Sequence, residues 1–272
     1  MNKATRIDYL DIAKGIGIIS VVWAHANGPF SSYIGLFHMP LFFLISGYLH
    51  NSKKPFRIFF RQKFVSLYLP FVLCNGIAFL IRAIISPNHI EDNIRQGLLI
   101  LLTLNKDNQF FGATWFLGAL FIISIFHKLL EHHITDCSYK PFFISAFICS
   151  LAIIGFEIDF PYTLSRTFVL GLFYEIGYLI KHNQKEVANF NQPFMAIISF
   201  LLFIVLGPYN KVSMSSNTYK YYFTFIFCAL CASYSVIYVS QICDKLVSSY
   251  KHLHIIKSIF CYLGRNCKFR LI

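Results

Sequence analysis

The feature that most constrains this chain is a succession of long apolar runs, which recur along its length with short polar connections between them. Eight of the runs read as membrane spans: Gly15–Asn27, Ile34–Leu49, Leu67–Ile85, Thr114–Leu130, Pro141–Phe156, Tyr162–Ile180, Pro193–Gly207 and Tyr219–Ser240. Several are shorter than the roughly 20 residues that cross about 30 Å of hydrocarbon, so flanking residues must lengthen them. Together with the start of a ninth helix at Ile255–Leu263, they predict an all-α protein, a polytopic transmembrane helical bundle of about eight spans plus a partial ninth.

The composition of the 272 residues excludes most other classes of protein. Apolar residues make up 56% and charged residues 13%, whereas about 25% of the residues in soluble domains are charged. Too few charges remain to cover a surface that faces water. The formal net charge is +12, but the cations are spread between the apolar runs, so we expect membrane lipids and no nucleic acid as partners. We expect residues 1–272 to form a single integral-membrane domain.

The lysines and arginines of the connections indicate how the chain is oriented. With the N-terminus in the cytoplasm, 17 of them fall in inner segments and four in outer loops, as the positive-inside rule requires. We therefore expect a multi-pass membrane protein with a cytoplasmic N-terminus.

Cysteines and histidines give no sign of a metal site. Most of the eight cysteines lie inside apolar runs, where a free thiol behaves as a small hydrophobic group. His127, His132 and His133 are expected in an inner loop without the partners that a metal needs. We predict neither disulfides nor a bound metal.

Three ionisable residues on the first helix are the strongest candidates for chemistry, because a charge at membrane depth is costly unless it is paired or faces a wet cavity. Lys14 and His25 are 11 positions apart, which places them about 16 Å apart along one helix face, and Asp11 lies close to the same face. One interpretation is an interfacial Asp11–Lys14 ion pair with His25 at the outer end. The other makes His25 a base that faces a cavity, with Lys14 holding an anionic ligand.

His38 is expected near His25, at the outer end of the second helix. Pro40 suits the first turn of a helix, which would place His38 at the outer mouth. Alone, His38 is more typical of an interfacial residue that makes a hydrogen bond. Two histidines at one mouth favour a functional role.

Further along the chain, the candidates are weaker. Lys53, Lys54, Arg57 and Arg61 share a face of an amphipathic segment that is typical of the inner leaflet, although Arg61 and Lys63 could instead bind the phosphates of a nucleotide-bearing donor. Trp115 could line a pocket or act as an interfacial anchor.

At these residues the sequence resembles the integral-membrane acyltransferase-3 family, and especially its branch of fucose 4-O-acetylase-like polysaccharide O-acetyltransferases. The resemblance is carried by Leu10–Ile18, His25, Phe37–Phe43, Ser46–Tyr48, Leu69–Phe71, Thr114–Leu117 and Gly171–Tyr178. Lys14 occupies a place that is often arginine in the family. The match covers nearly the whole chain, with declining strength toward the C-terminus.

The resemblance implies a bacterial inner-membrane enzyme that moves an acyl group, usually acetyl from cytoplasmic acetyl-CoA, to a hydroxyl of a cell-surface polysaccharide or a lipid-linked sugar precursor. It implies His25 as general base or acyl carrier, with Lys14, Asp11 and His38 as further catalytic residues. Lys14, Arg61 and Lys63 would bind the donor, and His38, Trp115 and Arg166 the acceptor.

Two other functions use the same residues. A permease would bind and release a solute at the buried charges without consuming acetyl-CoA. A non-catalytic subunit of a glycan export or assembly complex would tolerate substitution of His25 and Lys14.

The C-terminal segment departs from the family pattern. Leu263–Asn266 begins a match that would continue into an apolar helix, but the chain turns basic and stops at Ile272. We expect a domain that is incomplete at its C-terminus.

Overall fold

The computed structural model describes residues 8–85, 92, 94, 95, 97, 114–134, 139–161 and 163–249, with the backbone alone for 247–249. The predicted partial helix at Ile255–Leu263 and the C-terminal departure from the family pattern lie outside the described residues.

The described residues are almost entirely helical, which confirms the predicted all-α class. The helices are α1 (Asp8–His25), α2 (Ser31–Tyr48), α3 (Phe56–Lys63), α4 (Leu69–Ile85), α5 (Trp115–His133), α6 (Lys140–Glu157), α7 (Leu164–His182), α8 (Gln184–Val187), α9 (Pro193–Leu206) and α10 (Tyr222–Ser249). A π-helical turn, Phe64–Tyr68, joins α3 to α4 without a break, and 3-10 turns follow α8 and α9. The short antiparallel strands β1 (Val212–Ser213) and β2 (Thr218–Tyr219) pair Val212 with Tyr219.

Among the described residues, four helical segments are long and apolar enough to cross a membrane, and a fifth joins them if the bent pair formed by α8 and α9 counts as one span. The four are Phe56–Ile85, Trp115–His133, Lys140–Glu157 and Tyr222–Leu246. Helices α1 and α7 are of similar length, but each carries acidic and basic side chains along its body, which lowers its hydropathy. The described residues therefore support a membrane protein, and the count of eight spans stays a prediction.

Helix α2 begins earlier than Pro40 indicated. The chain reverses between His25 and Ser31, where Asn27 and Phe30 adopt positive φ angles of 52° and 63°. Helix α2 then runs through Pro40, which lies inside the helix. The prediction that this proline opens the helix was wrong, because the tight turn before Ser31 already starts it.

The chain divides into two compact units. The first comprises Met1–Tyr48, Gly177–Ser213 and Thr218–Arg270. In it, α10 packs against α1, α2 and α9, and α1 packs against α2. Large side chains of α2 and α10 form its core, among them Leu36, Leu41, Phe43, Ile45 and Phe225.

The second unit comprises Leu49–Ile176, Met214–Asn217 and Leu271–Ile272. Helix α5 is its centre, since it packs against α3, the π-helical turn, α4 and α6. Its apolar core includes Leu67, Phe71, Leu120, Ile123, Ile144 and Phe173. Helix α7 contributes residues up to Ile176 to this unit and residues from Gly177 to the first.

Gly177 lies where two helices of the first unit approach each other closely. A methyl group at this position would overlap the backbone carbonyl oxygen of Leu44 and lie close to the backbone nitrogen of Tyr48. Since the obstacle is backbone and not a flexible side chain, α2 and α7 can meet here only when residue 177 has no side chain.

We expect Gly177→Ala to destabilise the protein. Alanine is the better helix former by about 1 kcal/mol, but overpacking against backbone costs typically 1–3 kcal/mol, so the unfolding temperature in detergent should fall. Gly35→Ala in α2 is the matched control, because no atom lies within 4 Å of a methyl group there. It should leave the unfolding temperature unchanged or raise it. An equal response of the two variants would contradict the close helix contact.

Candidate active site and a buried polar cluster

Asp11 and Lys14 form an ion pair within helix α1. Lys14 Nζ lies 2.6 Å from Asp11 Oδ1, and the two residues are only 4% and 8% exposed. Their spacing of three residues places both side chains on one face of the helix. The pair was one of the two interpretations of the sequence, and it keeps the Lys14 ammonium neutralised inside an apolar unit.

His25 lies at the opposite end of the same helix. It is the last residue of α1 and is exposed, whereas Ile18 and Val21, which lie between it and Lys14 on the same face, are half-buried. Exposure therefore increases along this face from Lys14 to His25. The imidazole is accessible, as a group that exchanges protons with a bound substrate must be.

His38 is half-buried on helix α2. Its Nδ1 donates a hydrogen bond of 2.7 Å to the carbonyl oxygen of Ile34, which leaves Nε2 as the acceptor atom of the neutral ring. Its imidazole is close enough to that of His25 for the two to interact electrostatically. Both predicted histidines thus lie in the first unit, within range of electrostatic interaction.

An apolar groove of about 410 Å³ lies beside the same helix. It is lined by Ile16, Ile19, Ser20, Trp23 and Ile34. The α1 residues of this lining recur at helical spacing on the face opposite Lys14 and His25. Neither Lys14 nor His25 lines the groove, so it is not the crevice that the functional interpretation of these two residues requires.

The two predicted donor-binding residues of helix α3 are not equivalent. Arg61 is exposed, but Lys63, two residues later on the other side of the helix, is 4% exposed. Lys63 Nζ lies 5.5 Å from the centroid of the Phe59 ring. Within the described part of the chain, it has no hydrogen-bond partner.

The two remaining candidates, Trp115 and Arg166, lie in the second unit. Trp115 opens helix α5 and is 3% exposed, which does not fit an interfacial anchor, and Arg166 near the start of α7 is 8% exposed. Next to Trp115, the Thr114 hydroxyl oxygen accepts a hydrogen bond of 3.2 Å from the Asn75 amide. The roles proposed for Trp115 and Arg166 remain predictions.

Sequence reasoning missed a buried polar cluster in the second unit, whose centre is His50. The Nε2 atom of His50 donates to Glu131 Oε2 at 2.9 Å, and its Nδ1 accepts from the Tyr174 hydroxyl at 2.7 Å. Burial lowers the pKa of His50 to about 4, although the hydrogen bond to Glu131 acts in the opposite direction. At pH 7 the ring is therefore neutral, which matches one donated and one accepted hydrogen bond.

Glu131 also binds a lysine and a serine. Lys128 Nζ donates to Glu131 Oε2 at 3.2 Å and to the Ser52 carbonyl oxygen at 2.6 Å. The Ser52 hydroxyl donates to Glu131 Oε1 at 2.7 Å. Both carboxylate oxygens are thus engaged, and the ammonium balances their charge.

His127 forms the second half of this buried polar cluster. The expected inner-loop position of His127 was wrong: it lies inside α5, is fully buried, and donates from Nε2 to Glu175 Oε2 at 2.8 Å. Ser145 of helix α6 donates to the other Glu175 oxygen at 2.7 Å. The ring centroids of His50 and His127 are 4.7 Å apart, so the two halves are in contact.

One signal for this cluster was visible in the sequence. His127 and Glu131 are four residues apart on a helix, which places them on one face. His50 and Tyr174 had no such signal, because the residues that meet here are separated by 81 and 124 positions in the chain.

The fold and these buried ionisable groups define a class of protein: an all-helical integral-membrane protein that keeps acids, bases and cations away from solvent. Such groups are functional by default in membrane proteins. The family model described as "Acyltransferase domain" matches residues 7–268, and the chain belongs to this acyltransferase family. The resemblance seen in the sequence motifs is thereby confirmed.

Among curated proteins, the chain is similar to "Nodulation protein NolL" of Mesorhizobium japonicum. The two are 27% identical over 228 residues, which cover 76% of this chain and 57% of that protein. The chain thus matches somewhat more than half the length of this relative. No solved structure matches the chain.

Loss of a carboxylate from the buried cluster should destabilise the protein. Glu175→Ala removes the acceptor of both His127 and Ser145, and an unsatisfied buried polar group costs about 1–3 kcal/mol. We expect a lower unfolding temperature of the detergent-solubilised protein. Glu186→Ala on the exposed helix α8 is the matched control and should have no effect. Equal unfolding temperatures for the two variants would show that the His127 pair does not stabilise the fold.

Proposed function

We propose that this acyltransferase moves an acetyl group from acetyl-CoA to a hydroxyl of a cell-surface polysaccharide or of its lipid-linked sugar precursor, in a bacterial inner membrane with the N-terminus in the cytoplasm. Family membership supports acyl transfer. The observation that carries the choice of donor is the buried ammonium of Lys63, the last residue of the basic helix α3.

The argument for Lys63 begins with the cost of burying a charge. An ammonium that leaves water loses several kcal/mol of solvation, which only a nearby acceptor or anion returns. The described residues supply no hydrogen bond to Lys63 Nζ, and the Phe59 ring gives it a weak cation–π contact at most. A phosphate of the donor would provide the missing acceptor.

The surroundings of Lys63 suit an anion that arrives from the membrane surface. Lys54 is half-buried, and Arg57 and Arg61 are exposed on the same helical segment. Deeper in the unit, Lys128 Nζ lies 5.7 Å from the centroid of the same Phe59 ring that Lys63 contacts. Positive charge thus continues from the exposed surface of α3 to its buried side, as expected for a site that draws in a polyanionic nucleotide.

His25 is the residue that we assign to the acceptor hydroxyl. An alcohol is a weak nucleophile until its proton is removed, and an accessible imidazole can take that proton. The oxygen then attacks the thioester carbonyl, the carbon–sulfur bond breaks, and the thiolate receives the proton from His25. Direct acylation of His25, followed by transfer to the hydroxyl, balances equally well.

The other predicted residues support these two groups. In the proposal, Lys14 holds an anionic part of the donor on the cytoplasmic side of His25, while Asp11 fixes the ammonium by their 2.6 Å contact. His38 lies near His25 and would orient it or contact the sugar. Trp115 and Arg166 are proposed contacts of the acceptor, with the planar guanidinium of Arg166 suited to paired oxygens.

Replacement of His25 should abolish acetylation. General base catalysis contributes typically 10²–10⁴-fold to a rate, so His25→Ala should lower the O-acetyl content of surface glycans to that of a strain in which the gene is deleted. The measurement is chemical analysis of O-acetyl groups after restoration of the deletion strain with each variant, with membrane levels compared by immunoblot. His133→Ala, an exposed histidine of α5, should restore acetylation fully. Retained acetylation with His25→Ala would contradict the proposal, and solute flux without acetyl-CoA consumption would indicate a permease.

Replacement of Lys63 should weaken binding of the donor. A hydrogen bond to a charged group contributes about 1.5–3 kcal/mol, so Lys63→Met should raise the KM for acetyl-CoA about 10- to 100-fold, with a smaller change in kcat. The assay measures acetyl transfer in membrane vesicles over a range of acetyl-CoA concentrations. Lys53→Met, an exposed lysine near α3, is the matched control. An unchanged KM together with a raised unfolding temperature would show that Lys63 has no ligand.

A further inference from the structure

We infer that His50, His127 and Glu131 form a binding site for one divalent transition-metal ion of the Zn²⁺ class. This inference does not depend on acyl transfer, and it differs from the sequence-based expectation that the protein holds no metal.

The donor atoms fit such an ion in type and spacing. Two imidazoles and one carboxylate form a known protein ligand set for zinc. A donor atom from each residue lies within 4.8 Å of the others, and His50 Nε2 is 2.9 Å from Glu131 Oε2. Ligands of a tetrahedral zinc are about 3.3 Å apart when the bonds are about 2.0–2.1 Å long, so modest side-chain adjustment suffices.

Two of the ligands come from one rigid element. His127 and Glu131 occupy positions i and i+4 of helix α5, and their side chains therefore project from the same face. His50 follows helix α2 and completes the set. An ion would link the segment around His50 to α5.

Each proposed ligand also makes a hydrogen bond to a second side chain, and two of these partners, Tyr174 and Glu175, are buried. His127 Nε2 donates to Glu175, His50 Nδ1 lies 2.7 Å from the Tyr174 hydroxyl oxygen, and Glu131 Oε1 accepts from Ser52. When Nε2 of His50 binds an ion, the ring proton moves to Nδ1, which then donates to the Tyr174 hydroxyl oxygen. Partners of this kind fix the ring orientation and the tautomer of metal-binding side chains, and their loss typically lowers metal affinity about 10- to 100-fold. An ordinary buried ion pair does not require that each of its members has such a hydrogen-bond partner.

The charges around the site both favour and oppose an ion. Glu131 and Glu175 together neutralise a divalent cation, whereas the ammonium groups of Lys128 and Lys63 repel it. Lys128 Nζ lies 3.2 Å from Glu131 Oε2, the oxygen that the ion would use, but it also donates to the Ser52 carbonyl oxygen at 2.6 Å. Metal binding would therefore displace the Lys128 ammonium from Glu131. The ammonium would keep its hydrogen bond to the Ser52 carbonyl oxygen.

The burial of the ligands indicates the kind of site. His50, His127 and Glu131 are 1%, 0% and 9% exposed. Structural zinc sites are closed, whereas catalytic sites keep an open position for water or substrate. The set supplies three protein ligands, so the fourth position of a tetrahedral ion is left to a water molecule, which the burial of the ligands would enclose.

The test is metal binding by the purified full chain. Protein prepared in detergent without chelator should contain about one zinc per chain by elemental analysis. After removal of zinc, Co²⁺ should give the intense visible absorption of a tetrahedral nitrogen and oxygen site. Glu131→Gln and His127→Ala should abolish both signals, and Glu175→Gln should weaken Co²⁺ binding about 10- to 100-fold. His132→Ala, the exposed neighbour in the same helix, should leave binding unchanged.

Lys128→Met separates the two explanations of the cluster. If the cluster binds a metal, removal of the competing ammonium should keep the cobalt spectrum and tighten binding. If Lys128 is itself the permanent cation of the cluster, the variant should lose stability and bind no metal, which would overturn the inference. Absence of zinc and cobalt from the folded wild-type protein, or binding that persists in Glu131→Gln, would also overturn it. Elution volume and helical circular dichroism establish that each variant is folded. Acetyl transfer by metal-free protein would leave the proposed function intact.

Discussion

The constraint on which the rest of this structure depends is the cost of placing ionisable groups in an apolar environment. The chain has few charged residues, yet several of them are buried in its two units. Each buried charge must find a counter-charge or a set of hydrogen bonds, or it destabilises the fold. The pairs Asp11–Lys14, Glu131–Lys128 and Glu175–His127 show this requirement being met with contacts of 2.6–3.2 Å.

Three buried lysines show how differently the requirement can be satisfied. Lys14 has one carboxylate at 2.6 Å, and Lys128 has a carboxylate and a backbone carbonyl. For Lys63, the described residues offer only the face of Phe59. The first two lysines are explained by the fold itself. In the proposed function a bound anion would balance the third, which is why the proposed donor site is centred on Lys63 and not on the exposed arginines of the same helix.

The sequence predicts those features that depend on neighbours along the chain. Apolar runs predict the helices, and a spacing of three residues predicts the contact of Asp11 with Lys14. Pro40 misled the prediction of where α2 begins, although Asn27, Gly28 and Pro29, which lie between α1 and Ser31, are typical turn residues. The His50 cluster could not be predicted, since its hydrogen bonds join the segment after α2 to α5 and α7. Such contacts depend on tertiary packing, to which local periodicity gives no access.

The two proposals meet at one aromatic ring. The Phe59 ring centroid lies 5.0 Å from that of His50, while Lys63 and Lys128 lie 5.5 Å and 5.7 Å from it. Positive charge on Lys63 opposes a cation at His50, and an anion bound to Lys63 would cancel that opposition. Because binding linkage is reciprocal, a metal ion in the cluster would in turn favour the anion. Phosphate binding at α3 and metal binding at α5 should therefore reinforce each other, although neither requires the other.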